Sequence, residues 1–161
     1  MADEFGRQLV ALLPNLRRFA LSITRSRDSA DDLVQVTCEK AIAARASFVV
    51  GTRLDAWLFR IMRNAWIDLV RRNKTQGETV ELDDQLELIA TDGVTIADTA
   101  LMLRAVSSVI ETLSVEHSEV VLLICVEELS YQEAAEILDI PIGTIMSRLA
   151  RARCLISKAL E

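Results

Sequence analysis

The chain has 161 residues, 51% of them hydrophobic, with 5 glycines, 2 prolines and 3 cysteines. That composition supports a buried core without disulfides or metal, and the prevalence of Leu, Ala, Ile, Glu and Arg, with no long β-branched alternation, makes the expected fold all-α. The formal net charge of −6 is unevenly spread: residues 1–74 carry 13 Lys/Arg against 8 Asp/Glu, residues 75–147 carry 1 against 15, and residues 148–161 carry 4 against 1, so two basic blocks flank an acidic middle.

The chain opens on Met1-Ala2-Asp3-Glu4, acidic and polar rather than a secretory leader. Apolar residues at Leu9, Leu12, Leu13, Leu16, Phe19, Ala20 and Ile23 then recur at helical spacing and predict one helix over Phe5–Thr24, despite Pro14. Asp28-Ser29 can cap a second helix running to about Ala46, with Asp31 and Asp32 in its first turn, where the helix dipole favours anions. Phe48–Thr52 reads as a loop, and a third helix is expected from about Arg53 to Arg72. Its helical wheel gathers Arg60, Arg63, Asn64 and Arg71 into one arc and Leu58, Ile61, Met62, Ala65 and Leu69 into another. A basic, amide-bearing stripe beside a loop holding Phe48 can track a nucleic-acid backbone and accept unstacked bases. Trp57 and Trp66 are read as core residues rather than stacking platforms.

Residues 75–97 hold six acids and no base, and are expected to be a linker. Fully extended, such a segment reaches roughly 75 Å at ~3.3 Å per residue, so the flanking units, 1–74 and 98–161, could occupy separate surfaces. The second unit is expected to hold helices over about Asp98–Leu113 and from a cap at Ser114 to about Glu127. Ser130-Tyr131-Gln132-Glu133 is a capping-box sequence opening a short helix to Leu138. After the turn at Asp139–Gly143, Thr144 is a candidate cap for a last helix to about Leu160.

Short helix, tight turn and longer basic helix make the layout of a helix-turn-helix. In the last helix Ile145, Leu149, Ala152 and Ile156 form an apolar stripe suited to pack on Ala134, Ile137 and Leu138. Ser147, Arg151 and Cys154 lie opposite and Arg148 and Arg153 flank the stripe, offering hydroxyl and guanidinium donors for phosphates and guanine edges.

These segments resemble a known family. Asp31-Asp32-Leu33-Val34-Gln35, Leu54-Asp55-Ala56-Trp57-Leu58-Phe59-Arg60-Ile61-Met62-Arg63-Asn64, Asp68 and Arg71-Arg72 are similar to region 2 of extracytoplasmic-function (ECF) sigma factors of RNA polymerase. Leu129-Ser130-Tyr131-Gln132-Glu133-Ala134-Ala135 and Pro141–Arg153 look like region 4. The resemblance implies a factor that binds core polymerase, recognises and opens promoter DNA, and is restrained by an anti-sigma factor. It assigns Asp31, Asp32, Leu33 and Gln35, with Lys40 nearby, to the polymerase β′ clamp helices, and the second unit to the β flap. Phe48, Gly51, Thr52 and Arg53 would capture a flipped base of the minus-ten element, and Arg60, Arg63, Asn64, Arg71 and Arg72 would support the melted strand. Thr144, Ser147, Arg148, Arg151 and Arg153 would read the minus-thirty-five element. Val36, where the family usually has Glu, and Met146, where it often has a cation, depart from the pattern.

No enzymatic chemistry is expected. His117 is the sole histidine, expected in a solvated first turn, and neither a phosphate-binding Gly loop nor a paired-carboxylate site stands out. No cofactor or metal is implied, because Cys38, Cys125 and Cys154 fit neither a disulfide framework nor a zinc site. Cys38 and Cys125 read as small apolar helix residues. No apolar run approaches the ~18 residues of a membrane helix, so the expectation is a reducing cytoplasm without membrane insertion. Two other readings fit the same features: a polymerase-independent helix-turn-helix regulator, and a sigma mimic that titrates an anti-sigma factor.

Overall fold

A side-chain carboxylate cap begins the fold: Asp3 Oδ1 accepts a 2.8 Å hydrogen bond from the Gly6 N–H, opening α1 (Glu4–Ala11). The computed structural model of the chain describes residues 3–75 and 97–161, and every regular element among them is helical. The single helix expected over Phe5–Thr24 is two, α1 and α2 (Leu13–Thr24), with Pro14 in the first turn of α2. There the missing N–H is harmless, whereas in a helix interior the ring would clash with the preceding turn.

α2 ends on Arg25, in the left-handed region at φ 58°. α3 (Arg27–Ala43) starts from Ser26, two residues before the expected Asp28, and Ser26 Oγ accepts the Ser29 N–H at 3.4 Å. It stops short of Ala46 in a 3-10 turn, Arg45–Ser47. The loop over 48–53 turns at Gly51, whose φ of 95° favours glycine. α4 (Leu54–Thr75) follows. Phe19 and Phe59, both fully buried, meet edge to face at 5.2 Å and hold α2 against α4.

In the second half α5 (Ala97–Thr112) leads to α6 (Val115–Val121), where the expected Ser114 cap accepts the His117 N–H at 3.3 Å. His117 is half-buried, and its Nδ1 lies 2.9 Å from Ser114 Oγ rather than in open solvent. α6 continues into a π-helical turn, Leu122–Val126, closed by the Glu127 N–H on the Leu122 carbonyl at 2.8 Å. Both bonds of the capping box are present at α7 (Tyr131–Leu138): Glu133 N–H to Ser130 Oγ at 3.1 Å and Ser130 N–H to Glu133 Oε1 at 3.0 Å. The last helix, α8 (Ile142–Ala159), begins behind Pro141. Thr144 is therefore not its cap but a first-turn residue, because Pro141 fixes the extended entry three residues earlier.

Two helical groups result, α2–α4 and α6–α8, joined where α2 packs on α6 and α4 on α7. The 75–97 linker expectation lies outside the described residues except at its ends, Thr75 closing α4 and Ala97 opening α5.

Candidate nucleic-acid interface

α4 carries the first basic face. Leu58, Phe59, Met62 and Ala65 are buried, and this anchors the opposite side, where Arg60, Asn64, Arg71 and Arg72 are exposed. Leu69, expected among the apolar residues, is 40% exposed and belongs to the surface. Arg63 departs from the free arc: its Nε sits 3.3 Å from Glu119 Oε1, without an aligned hydrogen bond. Arg53 is also engaged, through Asp55 and through the Glu127 and Glu128 carbonyls, both at 3.0 Å.

The adjoining loop is tied down by aromatic rings. Phe48 packs on Trp57 at 5.3 Å and on Phe5 at 6.2 Å, so it is half-buried and is not an open stacking platform. Arg45 lies over the Phe5 ring and pairs with Asp3; the bond to Gly6 N–H and this guanidinium hold the Asp3 carboxyl below its usual range. The loop itself stays open, with Thr52 Oγ1 donating to the Val49 carbonyl at 2.6 Å, Gly51, Thr52 and Arg53 exposed, and Val50 92% exposed.

On α3, Asp31, Asp32, Gln35 and Lys40 face solvent together. Asp31 pairs loosely with Arg17 at 3.5 Å. Leu33, expected on the same surface, is 2% exposed and is a core residue instead. The helical period explains this: its turn faces α2 and α4, so it positions its acidic neighbours without being presented itself. Val36 is partly open on the polar side.

α8 carries the second basic face. Ile145, Leu149 and Ala152 are buried with Ala134, Ile137 and Leu138 of α7, as their spacing predicts. Ser147, Arg151, Arg153 and Cys154 are exposed, and Met146 is half exposed among them. Thr144 is half-buried, and its carbonyl accepts Ser147 Oγ at 3.1 Å. Arg148 is drawn toward Glu116, 3.8 Å away on α6. All three cysteines are free, and Cys125, expected in a helix interior, is exposed on the π turn.

Charge patterning missed the residues that join the two faces. Glu127 accepts from Asn15 at 2.6 Å and Arg18 at 2.9 Å, and the Arg25 guanidinium binds the Leu113 carbonyl at 2.7 Å and Ser118 Oγ at 3.1 Å. Glu119 is buried beside Arg63. Burial pushes its carboxyl up to about 7, with Arg63 and then Arg148 opposing the shift and Glu116 adding to it. Between the ordinary value of 4.5 and about 7 the folded chain binds more protons than the unfolded one. The stabilisation from this group is complete below about 4.5 and is lost as pH rises toward 7. Glu119→Gln should remove that component, so urea titrations at pH 5 and 7.5 should show the variant gaining on wild type by on the order of 2–3 kcal/mol at the higher pH. An unchanged difference at the two pH values would refute a proton-binding Glu119.

The two faces coincide with known sequence families. Residues 9–76 match Sigma-70 region 2 and residues 103–154 match Sigma-70 region 4. The chain is 33% identical over 160 residues to the ECF RNA polymerase sigma factor EcfG of Rhodopseudomonas palustris, covering 99% of this chain and 87% of that protein. Among solved structures it is similar to the sigma factor RpoE in complex with the anti-sigma factor NepR from Bartonella quintana, with a TM-score of 0.77, 34% identity, and coverage of 98% of this chain and 96% of that one. It is also similar to CnrH in complex with the cytosolic domain of CnrY, with a TM-score of 0.63, 28% identity and coverage of 97% and 86%. With both regions present in order and near full-length likeness to a named member, the chain belongs to the ECF family of RNA polymerase sigma factors, which are not enzymes.

Proposed function

We propose a division of labour for this sigma factor, carried chiefly by the exposed basic faces of α4 and α8. Residues 1–74 form the unit that engages core RNA polymerase and the minus-ten element, residues 98–161 form the unit for the minus-thirty-five element, and 75–97 joins them. Asp31, Asp32, Gln35 and Lys40 supply the polar surface that docks on the β′ clamp helices, with Leu33 beneath it. The second unit meets the β flap. Gly51, Thr52 and the exposed Val50 form the loop tip that takes a flipped base, and Phe48 stiffens that loop. Arg60, Asn64, Arg71 and Arg72, joined by Arg53 and Arg63 once these are free, follow the melted strand.

On α8, Ser147, Arg151 and Arg153 are the exposed donors, with Arg148 and Thr144 at the margin. The similar RpoE structure holds the anti-sigma factor NepR, which supports an anti-sigma partner here. Working on polymerase and DNA places the protein in the cytoplasm. No helix among the described residues is long and apolar enough to cross a membrane.

Binding of holoenzyme to cognate and scrambled upstream sequences tests this reading. A bidentate base contact is worth ~1–3 kcal/mol, so Arg151→Ala should cost roughly five- to a hundred-fold in specific affinity. Met146 is half exposed and cannot donate, so Met146→Arg should strengthen binding, with a steeper salt dependence if the new contact is to phosphate. Cognate preference surviving both Arg148→Ala and Arg151→Ala would show that α8 does not read the element.

A further inference from the structure

The loop tip assigned to the flipped base is a four-residue turn closed on itself. The Thr52 N–H and Oγ1 both donate to the Val49 carbonyl, at 3.2 and 2.6 Å, and Gly51 supplies the positive φ of 95° at the third position. Val49, Val50, Gly51 and Thr52 are all exposed. Such a turn fixes its own shape, whereas its direction is set by the two stems that carry it. On the α4 side the stem is anchored by Leu54, 6% exposed. On the α3 side it is the 3-10 turn Arg45–Ser47 followed by Phe48, whose N–H donates to the Arg45 carbonyl at 3.1 Å.

That second stem is gripped by the start of α1. Phe5 meets Phe48 at 6.2 Å and Trp57 edge on at 6.2 Å, and Phe48 and Trp57 close the triangle at 5.3 Å, all within the range where rings attract. The Arg45 guanidinium lies 5.1 Å from the Phe5 ring centre and pairs with Asp3, the residue that caps α1. Asp3 and Phe5 thus hold the two side chains, Arg45 and Phe48, that bracket the 3-10 turn, although Asp3 and Arg45 are 42 positions apart. Leu9 anchors α1 in the core and leaves Phe5 half-buried against the loop stem.

We propose that the first turn of α1 positions the base-capturing loop: Phe5, with Asp3 acting through Arg45, holds Phe48 so that the Val49–Thr52 tip is aimed at the melted strand before DNA arrives. The inference rests on the assignment of that tip to the flipped base. Phe5, Asp3 and Arg45 are positioning residues and touch no nucleotide themselves. A preset loop avoids the ordering cost that a free loop meets on binding. A loop that is competent only part of the time loses affinity by that fraction.

The experiment titrates holoenzyme with a single-stranded minus-ten oligonucleotide across a salt series. The captured position carries aminopurine, a fluorescent adenine analogue that brightens when it leaves the base stack. Core pull-down and thermal unfolding of the free chain run alongside. Phe5→Ala removes the ring contacts to Phe48 and Trp57 and should weaken capture roughly ten-fold. It should also lower the fluorescence rise, with the salt slope and core attachment unchanged because no phosphate contact is lost. Phe5→Tyr should restore both capture and fluorescence. Asp3→Asn keeps a competent helix cap but releases Arg45, and should weaken capture about two- to three-fold, as suits an exposed pair. A released Arg45 that instead tightened binding and steepened the salt slope would be a phosphate contact and would overturn the inference. Asp3 and Arg45 are both largely solvated, so Asp3→Asn keeps the test decisive even if Phe5→Ala unfolds. Gly51→Val, at a positive φ with open space around it, strains the tip itself and reports on the loop assignment. Wild-type capture and fluorescence in Phe5→Ala and Asp3→Asn, with Gly51→Val impaired, would overturn the positioning role and leave the loop assignment standing. Wild-type capture in Gly51→Val would overturn the loop assignment and the positioning role with it.

Discussion

Replacing both Asp31 and Asp32 with lysine is expected to weaken attachment to core polymerase by on the order of a hundred-fold while leaving the fold intact. Both side chains are exposed on α3, and the ion pair of Asp31 with Arg17 at 3.5 Å joins two largely solvated groups and contributes little to stability. Like charges placed against a complementary partner surface cost several kcal/mol, enough for that loss. Pull-down with core enzyme, paired with thermal unfolding of the free chain, separates the two effects. Attachment retained within about two-fold would move the polymerase contact off this face of α3. A matching loss of thermal stability would show that the carboxylates are structural.

The acidic surface of α3 was assigned through the family resemblance and not from spacing. The α8 stripe was legible because a helical wheel needs only spacing, and Ile145, Leu149 and Ala152 are buried as their period predicts; the capping box at Ser130 and Glu133 is a purely local motif. Boundaries were less legible. Ser26 and Asp28 are both competent caps, and the choice of Ser26 depends on where α2 ends, at the left-handed Arg25. Thr144 lost its expected cap to Pro141, whose fixed φ already sets the entry to α8. The π turn has no periodic signature of its own, so Cys125 and Val126 surfaced where a continuous α-helix would have turned them differently.

The long-range pairs were the least visible. Arg63 meets Glu119, Arg18 meets Glu127 and Arg53 meets the end of the π turn, across separations of 56 to 109 positions for the first two. The uneven charge of the chain hinted that basic and acidic blocks could meet each other instead of only DNA or solvent. Nothing in the local pattern names which arginine meets which carboxylate, because that choice is made by the packing of α2 on α6 and α4 on α7. Burial then turned Glu119 from one acid among many into a group that titrates near neutrality.

Phe59→Ala is expected to be the most destabilising single change in the first unit. The ring is fully buried and meets Phe19 edge to face at 5.2 Å, between α2 and α4. Truncation removes the transfer free energy of the ring and leaves a cavity that two rigid helices cannot close, about 3–5 kcal/mol by analogy with other buried aromatics. Against a total of roughly 5–15 kcal/mol that is a large share, and for a chain of this length it corresponds to a drop of about 6–20 °C in Tm. The functional consequence follows from register. Arg60, Arg63 and Asn64 project from the α4 turns that Phe59 pins to the core, so the same variant should lose promoter opening as it loses order. Phe59→Leu keeps most of the volume and should recover much of both. Leu69→Ala, on the same helix at a position 40% exposed, should stay within about 0.5 kcal/mol of wild type. Urea unfolding of the three variants, with permanganate footprinting of the start-site bubble at a temperature where all remain folded, distinguishes the outcomes. A Phe59→Ala protein within 1 kcal/mol of wild type would mean that the edge-to-face pair does not anchor α4. Equal losses in Phe59→Ala and Leu69→Ala would mean that the inward and outward faces of α4 have been assigned in the wrong register.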